Sequence, residues 1–382
     1  DVAPSRGLGD VYKRQILGIN NRSIFNDDKQ VMQDKQQIKQ ENLTIDEKVD
    51  QIVASMSQTE KLGQMVMIGI QGTKVDDDSL YMLNQYHMGG VILFDRNMES
   101  LEQVKQLTSD LQAQSNEKVP LFIGIDEEGG DVVRMAEKLT PAPSQKEIGA
   151  TGDIEQAKTW AIKTAKSLKD MGINVNFAPV ADVGSNDKRS YSTDANTVID
   201  FVRAATKGYQ QENIIYSLKH FPGIGKGKVD SHIDSSSIDV AKEVLMTEDI
   251  LPFKTIIDES DPNDYFILVS HLKYLALDEE YPASLSSKIM TDLLRNKLGY
   301  KGIIITDDME MGAVANHNDF RSIGVNAVKA GADIVLVCHE YKHQQEVYLG
   351  LLDAVNSGEI SQERIDESVK RIIKVKLLHL YQ

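Results

Sequence analysis

The chain reads as an α/β protein built as a (β/α)8 barrel, and three observations carry that reading. Eight short apolar runs rich in Val and Ile recur along it. They lack strict apolar–polar alternation, as parallel strands buried on both faces do. Helical patterns lie between several of them. The rival doubly wound sheet needs a glycine fingerprint after its first strand, and the first run ends instead in Ile70-Gln-Gly-Thr.

The elements follow in order. Thr44-Ile-Asp-Glu47 forms a capping box, after which Ile45, Val49, Ile52, Val53 and Met56 recur at helical spacing. Ser57-Gln-Thr-Glu60 forms a second box that opens a short helix into Leu62. Strands are expected at Met65–Ile70, Val91–Phe94, Leu121–Ile125, Val175–Val180, Ile214–Leu218, Tyr265–Ser270, Gly302–Thr306 and Asp333–Cys338. Helices are expected over Glu155–Met171, Val198–Asn213, Asp319–Ala330, Lys342–Ser357 and Gln362–Leu380. No solenoid-type repeat interrupts this alternation.

Composition narrows the functional classes. The 382 residues are 41% hydrophobic and 26% charged, ordinary for a globular protein. A net charge of −16 argues against nucleic acid as a partner, because phosphate binding needs a basic footprint. Cys338 is alone, so neither an internal disulfide nor a cysteine-based metal site is expected, and it reads as a buried strand thiol. No apolar run is long enough to span a membrane. Residues 1–43 are expected to be a disordered segment and linker. Asp1–Gln15 reads as a fragment end or sequencing artefact, with a signal or lipid anchor lost upstream, and Asn26–Asn42 is rich in Gln, Lys and Asp. Such a spacer suits an extracytoplasmic or cell-surface bacterial protein, with a cytoplasmic one as the alternative.

In a barrel, function gathers at the C-terminal rim of the strands. Here five successive rims carry charge or histidine: Asp126-Glu-Glu-Gly-Gly-Asp-Val-Val-Arg134, Asp182 with Lys188-Arg189-Ser-Tyr191, Lys219-His220, Ser270-His271, and Thr306-Asp307-Asp308-Met-Glu310. After the fifth strand come Gly223-Ile-Gly-Lys-Gly227 and Asp230-Ser-His232. Taken singly, Glu127, Glu128 and Asp308 read as helix caps or surface acids, and His271 as a packed core imidazole. Two other readings stay open at this stage. His220, His232, His271, Asp126 and Asp307 could surround a divalent ion, although H-E-x-x-H is absent, and the glycine turn could cradle a phosphate.

Together, IDEEGG with its downstream Arg134, KRSY, KHFPGIG with its downstream DSH, and ITDDMEM resemble glycoside hydrolase family 3, in its single-domain β-N-acetylglucosaminidase branch. The resemblance runs from about Met56 to Leu380, and makes 44–382 the catalytic barrel domain. It implies a retaining exo-glycosidase that removes terminal β-linked N-acetylglucosamine, with peptidoglycan fragments (muropeptides) as the expected substrate. It implies Asp307 as nucleophile, His232 as acid/base and Asp230 as its dyad partner. It also implies sugar binding by Asp126, Arg134, Arg189, Lys219 and His220, a monomer, and no metal or organic cofactor. The family usually has His where this chain has Ile224, and Arg where it has Asp131. The first change is expected to reshape the loop that carries His232, and the second to place an acid at the rim. The alternatives are a β-glucosidase or β-xylosidase of the same family, a phosphorylase, and a catalytically silent sugar-binding protein. The first usually takes its acid from a second domain.

The chemistry is coherent on its own terms. A carboxylate can attack the anomeric carbon, while an imidazole with a pKa of about 6.5 can deliver and take back a proton near neutrality. A carboxylate two residues earlier in an extended loop can orient that imidazole. After donating its proton the imidazole is neutral, so phosphate could compete with water in the second step.

Overall fold

The computed structural model describes residues 43–115, 119–134, 140–184, 188–226, 237–316 and 319–381. The expected disorder of the N-terminal segment therefore falls outside the described residues, except for Leu43. The chain divides into two units at Asp50/Gln51, and the barrel belongs to the second. Both expected capping boxes form: Thr44 pairs reciprocally with Glu47, and Ser57 with Glu60.

The barrel strands are β1 (Val66–Gly69), β2 (Gly90–Leu93), β3 (Phe122–Ile125), β4 (Val175–Asn176), β5 (Ile215–Phe221), β6 (Tyr265–Val269), β7 (Ile303–Asp308) and β8 (Ile334–Val337). Each pairs in parallel with its neighbours in sequence, and β8 closes on β1. All eight lie where apolar runs predicted them, but three C-terminal ends differ by more than one residue. The continuous ladder of the fourth strand stops at Asn176, and beyond Pro179, which has no N–H to give, a single parallel bridge joins Val180 to Lys219. The fifth extends to Phe221, which pairs with Val269, so Lys219 and His220 belong to the strand and not to the following loop. The seventh extends to Asp308, so Asp307 also stands on a strand.

The expected helices are present, as Ile154–Asp170, Ala195–Gln211, Phe320–Ala330, Tyr341–Asn356 and Gln362–His379. Helices at Asp77–Tyr86, Leu101–Gln112 and Leu251–Glu259 join them in the shell, as does a π-helix at Lys288–Lys297. The first two are capped by Asp76 and Ser100, whose side chains accept backbone N–H groups of the first turn. A two-residue parallel ladder joins Ser237–Ile238 to Lys273–Tyr274 beside the rim. Among the described residues no helix is long and apolar enough to cross a membrane.

The barrel interior is filled, not hollow. Phe122 and Phe266 meet edge to face at 5.2 Å. Gly124 leaves room where a Cβ would come within 2.7 Å of the Met67 methyl and 2.8 Å of the Phe177 ring. At the N-terminal end, fully buried Lys376 donates to Gln64 Oε1 at 2.6 Å and the Gly89 carbonyl at 2.7 Å. Its Nζ also lies 4.7 Å from the Phe122 ring centre. Burial holds its pKa well below the usual lysine range.

Asp333, fully buried just before β8, is the main tie at that end. It accepts from Arg295, from Arg371 at 3.0 Å, from Ser368 at 2.6 Å and from the Ile304 N–H at 2.9 Å. Burial raises its pKa, but Arg295, Arg371 and Arg364 outweigh burial and hold it below the ordinary value. A carboxyl with a lowered folded-state pKa stabilises the fold above its unfolded pKa, and that contribution is lost as pH falls. Asp333→Asn is therefore expected to cost about 3–5 kcal/mol in urea unfolding at neutral pH. The gap from wild type should narrow on acidification.

Candidate active site

A cavity of about 400 Å³ opens at the C-terminal rim. It brings together Asp126, Arg134, Arg189, Lys219, His220 and Asp307, six of the eight residues expected at the site. The other two, Asp230 and His232, lie outside the described residues.

The floor is built around a buried ammonium. Lys219, 3% exposed, gives its Nζ to Asp126 Oδ1 at 2.7 Å and lies 2.6 Å from Glu128 Oε1. Burial lowers the lysine pKa, but Asp126 and Glu128 more than reverse this, so it stays charged. Glu128 also takes a two-pronged bond from Arg189, Nε to Oε2 at 2.8 Å and Nη2 to Oε1 at 2.7 Å. Burial raises the Glu128 pKa, yet Lys219 and Arg189 dominate and keep it strongly depressed.

Arg189 Nη2 lies 3.0 Å from His220 Nε2, and His220 Nδ1 lies 2.8 Å from Asp182 Oδ2. A guanidinium can only donate, so Nε2 accepts and the Nδ1 hydrogen points to Asp182. Asp182 Oδ1 meanwhile accepts the backbone N–H groups of His220 at 3.1 Å and Ile224 at 2.9 Å. Ile224 thus keeps its place on the loop through its backbone, while its side chain lines the pocket.

Glu127, Glu128 and Asp308 are not the caps or surface acids their sequence positions suggested. All three are buried, at 5%, 7% and 8% exposure. Glu127 Oε2 accepts the Arg134 N–H at 2.8 Å, and Asn176 bonds the Glu127 backbone on both sides. This holds the Gly129–Gly130 turn that returns Arg134 to the pocket. There Arg134 faces Asp126 at 3.5 Å and lies 5.3 Å from the centre of the Phe94 ring. The side-chain bonds of Glu128 and Asp182 were missed in the sequence. The run of three acids in Asp126-Glu-Glu128 was the available signal, since three consecutive carboxylates at one rim cannot all cap the same turn.

Asp307 borders the cavity half-buried, its Oδ1 accepting the Asp308 N–H at 2.9 Å. Asp308 ties β7 to the β8 end, accepting from Cys338 N–H at 3.1 Å and lying 3.3 Å from His339 Nε2. The hydrogen bond with Asp308 raises the His339 pKa. His271 is a packed imidazole, as its bland reading had it, spanning Ser284 Oγ at 2.6 Å and the Asp308 carbonyl at 2.8 Å. Lys226 of the glycine turn bonds Asp249 at 2.6 Å and Glu248 at 2.7 Å. Among the described residues no group of three His, Cys, Asp or Glu is arranged to hold a metal.

The profile of the glycosyl hydrolase family 3 N terminal domain matches residues 57–375. The chain belongs to that family. A relative named Beta-hexosaminidase A, from Pseudoalteromonas piscicida, is 35% identical over 326 residues, 77% of this chain and 54% of the relative. A Beta-hexosaminidase from Nitrosomonas eutropha is 30% identical over 80% of this chain and 90% of its own length. Among solved structures, a glycoside hydrolase family 3 beta-N-acetylglucosaminidase from Paenibacillus sp. superposes with a TM-score of 0.82 at 37% identity. That match covers 85% of this chain and 62% of the other. The chain thus spans little more than half of Beta-hexosaminidase A and under two thirds of the Paenibacillus protein.

Glu127 has a measurable cost within this family 3 barrel. Burial pushes its pKa up to about 7. An acid with a raised folded-state pKa binds its proton more tightly in the fold, so stability falls as pH climbs from its unfolded value through about 7. Glu127→Gln keeps an acceptor for Arg134 without the charge. The variant is expected to gain about 2–3 kcal/mol on wild type between pH 5 and pH 8, read by urea unfolding at both.

Proposed function

We propose that this chain is a retaining exo-glycosidase that hydrolyses terminal β-linked N-acetylglucosamine through a glycosyl-aspartate intermediate. The observation that carries the reading is a blind pocket floored by Lys219, His220, Asp126 and Arg189, with the Asp307 carboxylate on its wall. The names printed for the family relatives support the acetylamino sugar.

In this reading the non-reducing sugar enters first. Asp126, with lone pairs left over from Lys219 and Arg134, accepts from sugar hydroxyls, while Arg134, Arg189 and Lys219 donate to others. Their positions are set before substrate arrives, so little reorganisation is needed at the transition state. Asp307 attacks the anomeric carbon as the glycosidic bond breaks, and His232, oriented by Asp230, protonates the departing oxygen. His232 then takes a proton from water, which attacks the same carbon and releases Asp307. Phosphate would have to approach the glycosyl-enzyme past Asp308 and Glu310, which stay as carboxylates while Asp307 is esterified, so water is the acceptor we propose.

Aryl β-N-acetylglucosaminide and aryl β-glucoside, assayed side by side, test this. We expect cleavage of the first with release of free sugar, and loss of at least about 10³-fold in kcat for Asp307→Asn. Cleavage of the glucoside alone would overturn the substrate, N-acetylglucosamine 1-phosphate formed in phosphate buffer would overturn the acceptor, and an active Asp307→Asn would remove the nucleophile. His232→Ala is expected to lose more on poor leaving groups than on activated ones, because only the former need the proton. Equal losses on both would remove His232 from the acid role.

A further inference from the structure

We propose that the mouth of this pocket is a charge filter for the leaving group. It accepts neutral or cationic amino-sugar aglycones and disfavours those carrying a free carboxylate, with Asp131 as the specificity-determining residue. The inference rests on the glycosidase reading above and narrows its substrate class.

Among the described residues six carboxylates line the cavity, those of Asp126, Glu128, Asp131, Asp307, Asp308 and Glu310, against the permanent cations Arg134, Arg189 and Lys219. All three cations are already engaged: Lys219 by Asp126 and Glu128, Arg189 by Glu128, and Arg134 by Asp126 and Asp95. An incoming anion would have to take one of these from its partner, and at Lys219 and Glu128 that would leave a buried charge uncompensated.

Depth assigns the two ends of the pocket. Lys219 and His220 are buried at the floor, whereas the Asp131 side chain is 70% exposed. The sugar that is cleaved off fills the floor, so the leaving group lies at the mouth, beside Asp131. There Asp131 faces Lys188 at 3.2 Å, and Lys188 is itself 59% exposed. Such a surface pair is weak and readily exchanged. A leaving-group ammonium can take the place of Lys188 on Asp131. A leaving-group carboxylate instead meets Asp131 first, because Asp131 lines the cavity and Lys188 does not. The filter therefore resides in one exposed side chain, whose replacement does not threaten the fold.

The consequence for peptidoglycan is specific. A muramyl leaving group with a free lactyl carboxylate is a poor substrate, and the same group capped as an amide is a better one. Chitin-type leaving groups, acetylated or deacetylated, pass.

The test uses matched disaccharides: N-acetylglucosamine β-linked to N-acetylmuramic acid, and the same compound with its lactyl carboxylate as a carboxamide. We expect kcat/KM for the amide to exceed that for the acid about fourfold at low salt, with the ratio falling toward one as salt screens the mouth. Asp131→Asn, which releases Lys188, should remove the preference, and Asp131→Lys should invert it. The ratio is an internal control against loss of folded protein. Equal rates on the pair, a preference for the acid, or a ratio unmoved in both Asp131 variants would overturn the filter. Failure to cleave aryl β-N-acetylglucosaminide at all would instead overturn the glycosidase reading on which it rests.

Discussion

A lysine ammonium removed from water at the end of a barrel strand has to be met by carboxylates, and much of the rim is arranged around meeting it. Lys219 recruits Asp126 and Glu128 from the end of β3. Glu128, itself buried, then requires Arg189 from the segment after β4. Arg189 reaches His220, which Asp182 holds by its ring and by its backbone. Each group compensates the one before it, and removing any member would leave its neighbour uncompensated. The result is a row of polar atoms from three consecutive strands, fixed within hydrogen-bonding distance of one another and aimed into one cavity.

The two ends of the barrel divide the work. At the N-terminal end, Asp333 with its arginines and Lys376 with Gln64 and Gly89 tie helices to strand starts, and none of these residues lines the cavity. At the C-terminal end the same kinds of charged group surround an opening. Glu127 shows the tension between the two roles. It holds the backbone of a pocket arginine, and it does so as a buried acid whose charged form burial opposes. Stability given up there keeps Arg134 over the pocket.

Much of this was legible from residue order. Apolar runs of the right length located all eight strands, because a parallel barrel buries both faces and leaves no alternation to confuse the pattern. Clustering of charge at five successive strand ends pointed to the rim, and six of the expected residues do meet in one cavity. Strand ends were less legible. Pro179 shortened one strand, while the fifth and seventh ran on through Lys219, His220 and Asp307, where side chains are polar but the backbone ladder continues. The burial of Glu127, Glu128 and Asp308 was not legible, because an acid after a strand looks the same in sequence whether it caps a helix or lies under a salt bridge.

The sequence by itself determined the fold class, the family and the identities of the polar groups, because these depend on local pattern and on residue types at fixed spacings. Only the tertiary structure decided which carboxylate answers which cation. Lys219 and Asp126 are 93 residues apart, and Arg189 and Glu128 are 61 apart. Pairing across such separations is set by barrel closure, which brings distant strand ends to one rim, and by the cost of burying any of these charges alone.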